Sequence, residues 1–357
     1  HYTSIENIHK VIDPLFMDEL EAEFDKICAT TNAKTKSDKL HAFQEKLGNL
    51  KFLDPACGSG NFLTETYLSI RRLENKVISV LNNGEKVLGF DEFIKVKINQ
   101  FYGIEINDFA VTVAKTALWI AESQMMSETE KIIGMNLDFL PLTTNAFIVE
   151  GNALRMNWAT LKPIDENVQL NDGLFAGFAT EVDGNEIQYD YIMGNPPFVG
   201  ARMMSTDQKN DVISVWGNIK NIGNVDYVSC WYKKAANLMK NSNVKTALVS
   251  TNSITQGEQV AIMWKPLMEM GVKINFAYRT FRWDSESTQK AHVHCVIVGF
   301  SCDNETNKGK RIFNSDGTVD IAKNINGYLI DSKDIFIENC STPLCKIAPM
   351  ARSGNKP

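Results

Sequence analysis

The sequence predicts an α/β protein with a doubly wound, mostly parallel sheet of seven strands. Three observations support this fold class. From residue 51 onward, apolar strand-like runs alternate with helical segments, which is the pattern of a parallel sheet covered on both faces. The first strand runs directly into a glycine-rich turn and a helix. Two strand-like runs lie close together within 274–300, which predicts an antiparallel hairpin at the far edge of the sheet.

A helical extension is predicted before the sheet. Residues 3–27 carry apolar side chains at three- and four-residue spacing, and the segment TSIE at residues 3–6 fits a capping box. The Asp13-Pro14 step is predicted to end a first short helix and to cap a second, because proline suits a first helical position. The polar stretch 30–39 is predicted to be a connector that leads into a short amphipathic helix.

Five parallel strands and the hairpin make up the predicted sheet. The strand segments are LKFLD (50–54), QFYGIEIN (100–107), AFIVEGNAL (146–154), YDYIMG (189–194), VKTALVST (244–251), INFAYRTFRW (274–283) and KAHVHCVIVGF (290–300). The helices between them are predicted over 62–81, 108–124, 226–240 and 257–270.

Composition excludes several classes of protein. The formal net charge is −6 and no apolar run reaches the length of a membrane span, so a broadly basic protein and a membrane protein are both excluded. The seven cysteines are scattered without a CxxC pair, so reduced thiols are predicted, with neither a disulfide framework nor a metal site. Residues 201–240 hold a local excess of basic residues, which fits a solvated helix face or a track for DNA phosphates equally well. These residues are Arg202, Lys209, Lys220, Lys233, Lys234 and Lys240.

A glycine loop follows the first strand in FLDPACGSGNF (52–62). Glycine reaches positive φ values and lets a ligand approach the backbone, and the following helix presents free N–H groups. Two features argue against a phosphate ligand: Asp54 would repel it, and Leu63 stands at the third glycine of the GxGxxG pattern. An acid beside such a loop suits a ligand with a cationic centre and a carboxylate, and S-adenosylmethionine is such a ligand.

Two further strand ends carry polar residues. Glu105 ends the second strand, where a carboxylate can accept hydrogen bonds from both hydroxyls of a ribose. Asn152 ends the third strand, where an amide can accept from the exocyclic amine of adenine and donate to a ring nitrogen. Taken alone, each residue also fits a strand-end position without a ligand.

The fourth strand stops at Asn195-Pro196-Pro197-Phe198. The carboxyl ends of neighbouring strands share one crevice in a doubly wound sheet, so this turn and the glycine loop are predicted to face each other. The Asn195 side-chain oxygen and the Pro196 carbonyl would accept hydrogen bonds from an exocyclic base amine and expose its lone pair. Phe198 offers a stacking face worth about 1–3 kcal/mol. The alternative is a rigid loop with a packed phenylalanine.

Together these motifs resemble the amino-methyltransferases of DNA, in the class I S-adenosylmethionine-dependent, Rossmann-like fold. DPACGSGNF resembles motif I, Glu105 motif II, GNAL motif III and NPPF motif IV, and HYTS (1–4) resembles the cofactor-binding segment of gamma-ordered adenine-N6 enzymes. The resemblance implies cofactor binding by Tyr2, Thr3, Asp54, Pro55, Ala56, Cys57, Gly58, Gly60, Phe62, Glu105, Ile106, Asn152 and Ala153. It implies a catalytic turn of Asn195, Pro196, Pro197 and Phe198, a base-pocket wall from Trp283 or Phe281, and a motif V contact at Asp226-Tyr227.

The amino-acid sequence of the whole chain is similar to the sequences of MmeI-like (type IIL/IIG) single-chain restriction–modification enzymes. The segments that carry the similarity are YTSIENIHKVIDPLF, FLDPACGSGNFLTETYLSIRRLEN and NINGYLIDSKDIFIENCSTPLC. In that family a nuclease and a helical spacer precede the methylase, and a target-recognition domain follows it. No strand-borne Pro-Asp followed by Glu-x-Lys is found here, so the nuclease is expected to be missing. The chain is expected to be a methylase fragment that lacks both flanking domains and is a monomer. Its expected partner is duplex DNA, and its expected location is the cytoplasm.

The predicted boundaries are a helical segment at 1–50, a methyltransferase domain at 51–304 and the start of a truncated target-recognition region at 305–357. Within the domain, Asn152 stands where many relatives carry Asp. Enzymes that methylate release-factor glutamine or ribosomal RNA guanine also use an NPP-aromatic turn, and cytosine-N4 enzymes more often carry Ser at its first position. An inactive DNA-specificity module is a further alternative, although Asn195 is intact. The favoured function is methylation of adenine N6 in duplex DNA.

Overall fold

The computed structural model describes residues 3–82, 94–134, 145–163, 186–283, 293–302 and 309–338. The strands are β1 (Phe52–Asp54), β2 (Phe101–Glu105), β3 (Phe147–Glu150), β4 (Met156–Asn157), β5 (Lys162–Pro163), β6 (Tyr191–Gly194), β7 (Lys245–Thr251), β8 (Lys273–Trp283), β9 (Val293–Ser301), β10 (Lys310–Phe313) and β11 (Val319–Ala322). The helices are α1 (Ile5–Ile12), α2 (Asp18–Cys28), α3 (Ala33–Asn49), α4 (Asn61–Leu81), α5 (Asp108–Ile133), α6 (Thr206–Trp216), α7 (Ser229–Met239), α8 (Gly257–Gln259) and α9 (Lys265–Glu269).

The central sheet has the strand order β11-β10-β8-β9-β7-β6-β1-β2-β3. Strands β3, β2, β1, β6 and β7 are parallel, and the order changes direction at β1, which confirms the doubly wound fold. β9 lies between β7 and β8, antiparallel to both, which confirms the hairpin. The hairpin is not the edge of the sheet, however, because β10 and β11 continue it, so the described sheet has nine strands where seven were predicted. Each added strand has four residues, too few to show a clear period in a polar stretch.

Successive residues of the central strands face two different cores. Phe52 and Met193 pack with α1 to α5, whereas Leu53 and Ile192 pack with α6, α7 and α9. The strands are therefore buried on both faces, which explains why their sequences are continuously apolar instead of alternating. Polar residues that follow β1, β2, β3 and β6 emerge at the carboxyl edge of the sheet, and this edge is where a doubly wound fold binds its ligand.

The N-terminal helices differ in detail from the prediction. A π-helical turn, Asp13–Met17, joins α1 to α2, so Pro14 does not interrupt the helical path. Ser4 is the N-cap of α1, but its side chain makes no capping hydrogen bond, so the predicted capping box is absent. α3 begins inside the predicted connector, because the Asn32 side chain caps it by accepting the Thr35 N–H at 2.9 Å.

His9 links this helical extension to α4. Its Nδ1 lies 2.8 Å from Asp13 Oδ1, and its Nε2 lies 3.3 Å from Glu65 Oε1. Burial lowers the pKa of His9, but the hydrogen bonds and charges of the two carboxylates outweigh it, so this pKa is raised above the ordinary 6.5. Burial raises the pKa of Asp13 as well. The pair therefore weakens at acid pH through Asp13 and at alkaline pH through His9.

The stabilisation by His9 is complete below its unfolded-state pKa of 6.5 and is lost as the pH rises through the raised folded-state value. We expect His9→Gln to be less stable than the wild type at about pH 6 and nearly equal to it at about pH 8.5. Urea unfolding at the two pH values measures this. His41→Gln, at an exposed position of α3, is the control and should match the wild type at both. A His9→Gln deficit that does not change with pH would contradict the assignment.

Candidate active site

The glycine loop lies at the point where the strand order changes direction. Gly58 has φ +54° and open space where a Cβ would stand. Gly60 has φ +82° and caps α4, and a Cβ there would come within 2.9 Å of Ala114 Cβ, so both conformation and packing require glycine. The Trp231 indole N–H donates to the Pro55 carbonyl at 3.1 Å and ties the loop to α7. The loop is thus a rigid cradle with room beside its backbone.

Glu105 connects the ends of β1 and β2. Its Oε2 accepts the Gly58 N–H at 2.9 Å, and its Oε1 accepts the Asn107 N–H at 3.1 Å. Each carboxylate oxygen has a further lone pair, so two hydroxyl groups can still be accepted. The neighbouring Ile106 is 68% exposed. A polar acceptor pair and an exposed apolar side chain therefore lie side by side.

Asp54 is almost completely buried at the end of β1, with 1% of its surface exposed. Its Oδ1 accepts the Ala56 N–H at 3.0 Å. Burial raises the pKa of this carboxyl to about 8, and the Glu105 charge adds to the rise. A Cβ on Gly194 would clash with the Asp54 carboxylate, so glycine is what lets the end of β6 approach the end of β1. Asp54 is thus a carboxyl group that a nearby cation would ionise.

The NPPF turn begins one residue beyond the glycine that contacts Asp54. The Asn195 Oδ1 is buried and has no hydrogen-bond partner in the described part of the chain. Such orphaned atoms are rare, because each costs about 1–3 kcal/mol. Pro196 is buried, Pro197 is exposed, and the half-buried Phe198 packs against both cores. The turn therefore presents a buried acceptor beside an aromatic ring.

Asp226 anchors the far end of this turn. Its Oδ1 accepts the N–H groups of Val199 and Val228, both at 3.1 Å. The Tyr227 N–H donates to the Val199 carbonyl at 3.0 Å, and the Asp226 N–H donates to Gln259 Oε1 at 3.0 Å. Burial raises the pKa of Asp226. The residue that follows NPPF is therefore held on both its N–H and its carbonyl.

Asn152 caps a short 3₁₀ turn after β3. Its Oδ1 accepts the Leu154 N–H at 3.0 Å, and its Nδ2 donates to Asp211 Oδ2 at 3.1 Å. Asp211 was not predicted, because it lies 59 residues away on α6 and no local pattern marks it. Ala153, beside the amide, is buried. Trp231 was missed for the same reason, since its contact with the glycine loop spans 176 residues.

The remaining predicted site residues differ in burial and in whether the structure describes them. Thr3, Cys57 and Phe62 are buried, and Tyr2 and the Trp283 side chain lie outside the described residues. Phe281 contacts Tyr278 edge-on, with ring centroids 6.4 Å apart, and Lys10 Nζ lies 5.3 Å from its ring. These contacts are on the α1 side of the sheet, and the role of Phe281 in a base pocket stays a prediction.

Two lysines of the predicted basic segment are directed inward. Lys234 Nζ donates to the Met156 carbonyl and lies 5.5 Å from the Trp158 ring centroid, and burial lowers its pKa to about 8. Lys233 Nζ lies 5.6 Å from the Trp216 ring centroid. Both ammonium groups therefore lie near tryptophan rings, and both side chains are half-buried. A solvated face and a phosphate track both stay predictions for this segment.

Residues 30–314 match the family model described as "MmeI, DNA-methyltransferase domain". This chain belongs to that family. The predicted resemblance to MmeI-like enzymes is thereby confirmed. The structure of the type IIL restriction–modification enzyme MmeI in complex with DNA is 40% identical, with a TM-score of 0.83, covering 97% of this chain and 43% of that one. DNA methyltransferase A of Bacillus subtilis (strain 168) is 38% identical over 360 residues, covering 100% of this chain.

This chain spans less than half the length of both relatives, 37% of the Bacillus subtilis protein and 43% of the MmeI chain. A nuclease-deletion mutant of the type ISP enzyme LlaGI, bound to a DNA substrate mimic, has a TM-score of 0.52 at 15% identity and covers 88% of this chain and 24% of that one. That likeness supports the fold alone. Among the described residues, no helix is long and apolar enough to cross a membrane. The same residues contain no group of three or more His, Cys, Asp or Glu side chains that could hold a metal ion.

Proposed function

We propose that this MmeI-type domain transfers a methyl group from S-adenosylmethionine to the N6 amine of a flipped adenine in duplex DNA. The observation that carries the proposal is the buried Asn195 Oδ1, which has no partner among the described residues and lies one residue beyond the close contact between Gly194 and Asp54. Membership of the MmeI family supports DNA as the substrate. The acceptor at Asn195 supports an exocyclic amine as the reacting group.

The residues at the carboxyl edge fit this cofactor. The open side of Gly58 leaves room for a ligand, Glu105 retains lone pairs for ribose hydroxyls, and Asp54 is a carboxyl group that a cationic ligand would ionise. When bound, S-adenosylmethionine would supply an electrophilic methyl group on a sulfonium centre. We assign its binding to Tyr2, Thr3, Asp54, Pro55, Ala56, Cys57, Gly58, Gly60, Phe62, Glu105, Ile106, Asn152 and Ala153.

The NPPF turn acts on the target amine. Asn195 Oδ1 and the Pro196 carbonyl accept its two N–H groups, which draws the nitrogen toward tetrahedral geometry and frees its lone pair. Pro196 and Pro197 keep both acceptors rigid, so no ordering of the turn is required during the reaction. Phe198 stacks on the flipped base, with Trp283 or Phe281 as a second wall. No strong general base is needed, because the amine becomes positively charged after attack and then releases its proton readily.

We further propose that the domain is the methylase portion of a single-chain restriction–modification enzyme that acts in the cytoplasm. A nuclease and a target-recognition domain would belong to the same protein. We place the end of the methyltransferase domain beyond β11 instead of at residue 304, because β10 and β11 are part of the central sheet. The chain of 357 residues is proposed to be a monomer.

The deciding experiment offers radiolabelled S-adenosylmethionine with duplex DNA, RNA and a protein substrate, followed by analysis of the labelled product. We expect label in duplex DNA as N6-methyladenine. Label in N4-methylcytosine, RNA or protein would overturn the adenine assignment, and calorimetry without cofactor binding would indicate an inactive specificity module.

Flipping a base out of the duplex costs a few kcal/mol, which lowers the net affinity for DNA. We therefore expect weak DNA binding by this chain, together with good binding of the cofactor, which does not carry that cost. Nanomolar, sequence-specific DNA affinity would contradict that expectation.

The Asp226 anchor yields a separate prediction. We expect Asp226→Ala to lower the methylation rate by about 10²-fold, because the released Val199 lets the catalytic turn shift by about 1 Å. Asp226→Asn should keep most of the rate, since both N–H groups are accepted by one oxygen, Oδ1. Single-turnover rates and calorimetric cofactor affinity measure the effect, and the affinity should stay within about three-fold. Equal rates for the two variants would contradict the anchoring role.

A further inference from the structure

Asp211 is a buried carboxylate that the mechanism above does not use. Only 5% of its surface is exposed, and it lies on α6, the first helix after the NPPF turn. Its Oδ1 accepts the Arg155 Nε–H at 2.8 Å, and its Oδ2 accepts the Tyr227 hydroxyl at 2.9 Å and the Asn152 Nδ2–H at 3.1 Å. One carboxylate therefore joins the loop after β3, helix α6 and the segment that leads into α7.

Two hydrogen bonds each determine the orientation of the Asn152 amide. The Leu154 N–H requires an oxygen opposite it, and the Asp211 carboxylate requires an N–H. Both requirements select the same one of the two possible amide orientations. The amide keeps one N–H and one oxygen lone pair beyond these two bonds. One donor and one acceptor on the same amide complement a ring nitrogen and the exocyclic amine of adenine.

The pair also explains why position 152 is an amide. A carboxylate in place of Asn152 would face the buried Asp211 carboxylate at the 3.1 Å now spanned by a hydrogen bond, and two like charges at that distance repel. The acidic residue of the Asn152–Asp211 pair is therefore on α6 instead of at the end of β3. We propose that Asp211 is a positioning residue that holds the Asn152 amide in the orientation that reads the adenine ring of the cofactor. This inference rests on the proposed function.

The test compares binding of S-adenosylhomocysteine and S-inosylhomocysteine by calorimetry. The inosine base reverses the donor and acceptor of adenine, so a fixed amide discriminates between the two ligands, whereas an amide that can turn over reads both. We expect the wild type to bind the adenosine compound at least about ten-fold more tightly. In Asp211→Asn the side chain at 211 can offer an N–H as well as an oxygen, so only the Leu154 N–H still selects the Asn152 orientation, and we expect the ratio to fall below about three-fold. Loss of a purely structural contact would weaken both ligands equally and leave the ratio unchanged.

Three further results complete the test. Asp207→Asn, an exposed carboxylate of the same helix, is the control and should keep the wild-type ratio. Asn152→Asp should melt at a lower temperature than the wild type, and Asn152→Asp/Asp211→Asn should recover at least half of that loss. In the double variant the new amide at 211 can donate to the carboxylate at 152 and to the Tyr227 hydroxyl. No recovery, or a double variant that does not fold, would contradict the pairing.

The outcomes separate the inference from the function on which it rests. A wild type that binds neither ligand contradicts the proposed function. A wild type that prefers the adenosine compound, together with an Asp211→Asn variant that keeps the same preference, overturns the positioning role of Asp211 alone.

Discussion

Asn195→Ala is expected to lower the methylation rate by about 10³-fold and to leave the cofactor dissociation constant within about two-fold. The loss is large because alanine removes the acceptor that reshapes the target amine. It is confined to the chemical step, because Asn195 is not among the residues assigned to the cofactor. A buried Oδ1 without a partner, as Asn195 has within the described part of the chain, costs free energy in the ligand-free protein, so the variant should melt at the wild-type temperature or above it.

Single-turnover methylation of duplex DNA, calorimetric cofactor binding and thermal melting together measure this result. Asn49→Ala is the matched control: it removes an exposed amide at the end of α3, just before the amino end of β1. It should have the wild-type rate. An Asn195→Ala variant that keeps more than about a tenth of the rate, or that melts well below the wild type, would contradict the assigned role.

Asp54→Asn is expected to weaken cofactor binding by about 100-fold or more and, at the same time, to stabilise the ligand-free protein at alkaline pH. Burial raises the pKa of Asp54 to about 8 in the folded protein, against an ordinary value of 3.8. Between these values the unfolded chain releases a proton that the folded protein keeps. Stability therefore falls as the pH rises from about 4 to about 8 and stays at the lower level above that.

Asparagine escapes this loss, because it is neutral at every pH and can still accept the Ala56 N–H. At about pH 8 we expect Asp54→Asn to be about 2–5 kcal/mol more stable than the wild type, and the difference should nearly vanish at about pH 4. Urea unfolding across this range measures it, with the exposed Asp38→Asn as the charge-matched control. Equal pH dependence in variant and wild type, or unchanged cofactor binding, would show that Asp54 has another role.

Local chemistry made much of the fold predictable. The continuous apolar runs of the central strands, the glycines after β1 and the double proline after β6 each act over a few residues, so they are readable without a structure. Predictions failed where the backbone adapts locally or where a distant partner decides the outcome. Pro14 stays inside a helical path because a π-helical turn accommodates it, and the short β10 and β11 become strands only by pairing with β8 and with each other.

The sequence by itself determined the residue types of the candidate site: an acid and glycines after one strand, acceptors after two others, and NPPF after a fourth. These follow from composition and spacing, because parallel strands place their carboxyl ends at one edge. Only the tertiary structure decided how the groups meet. Two of these features join residues that are distant along the chain: the contact of Gly194 with Asp54 and the hydrogen bond between Asn152 and Asp211. The third, an Asn195 Oδ1 without a partner in the described part of the chain, depends on what surrounds a buried atom. Burial and partner choice are properties of packing, and no short stretch of sequence contains them.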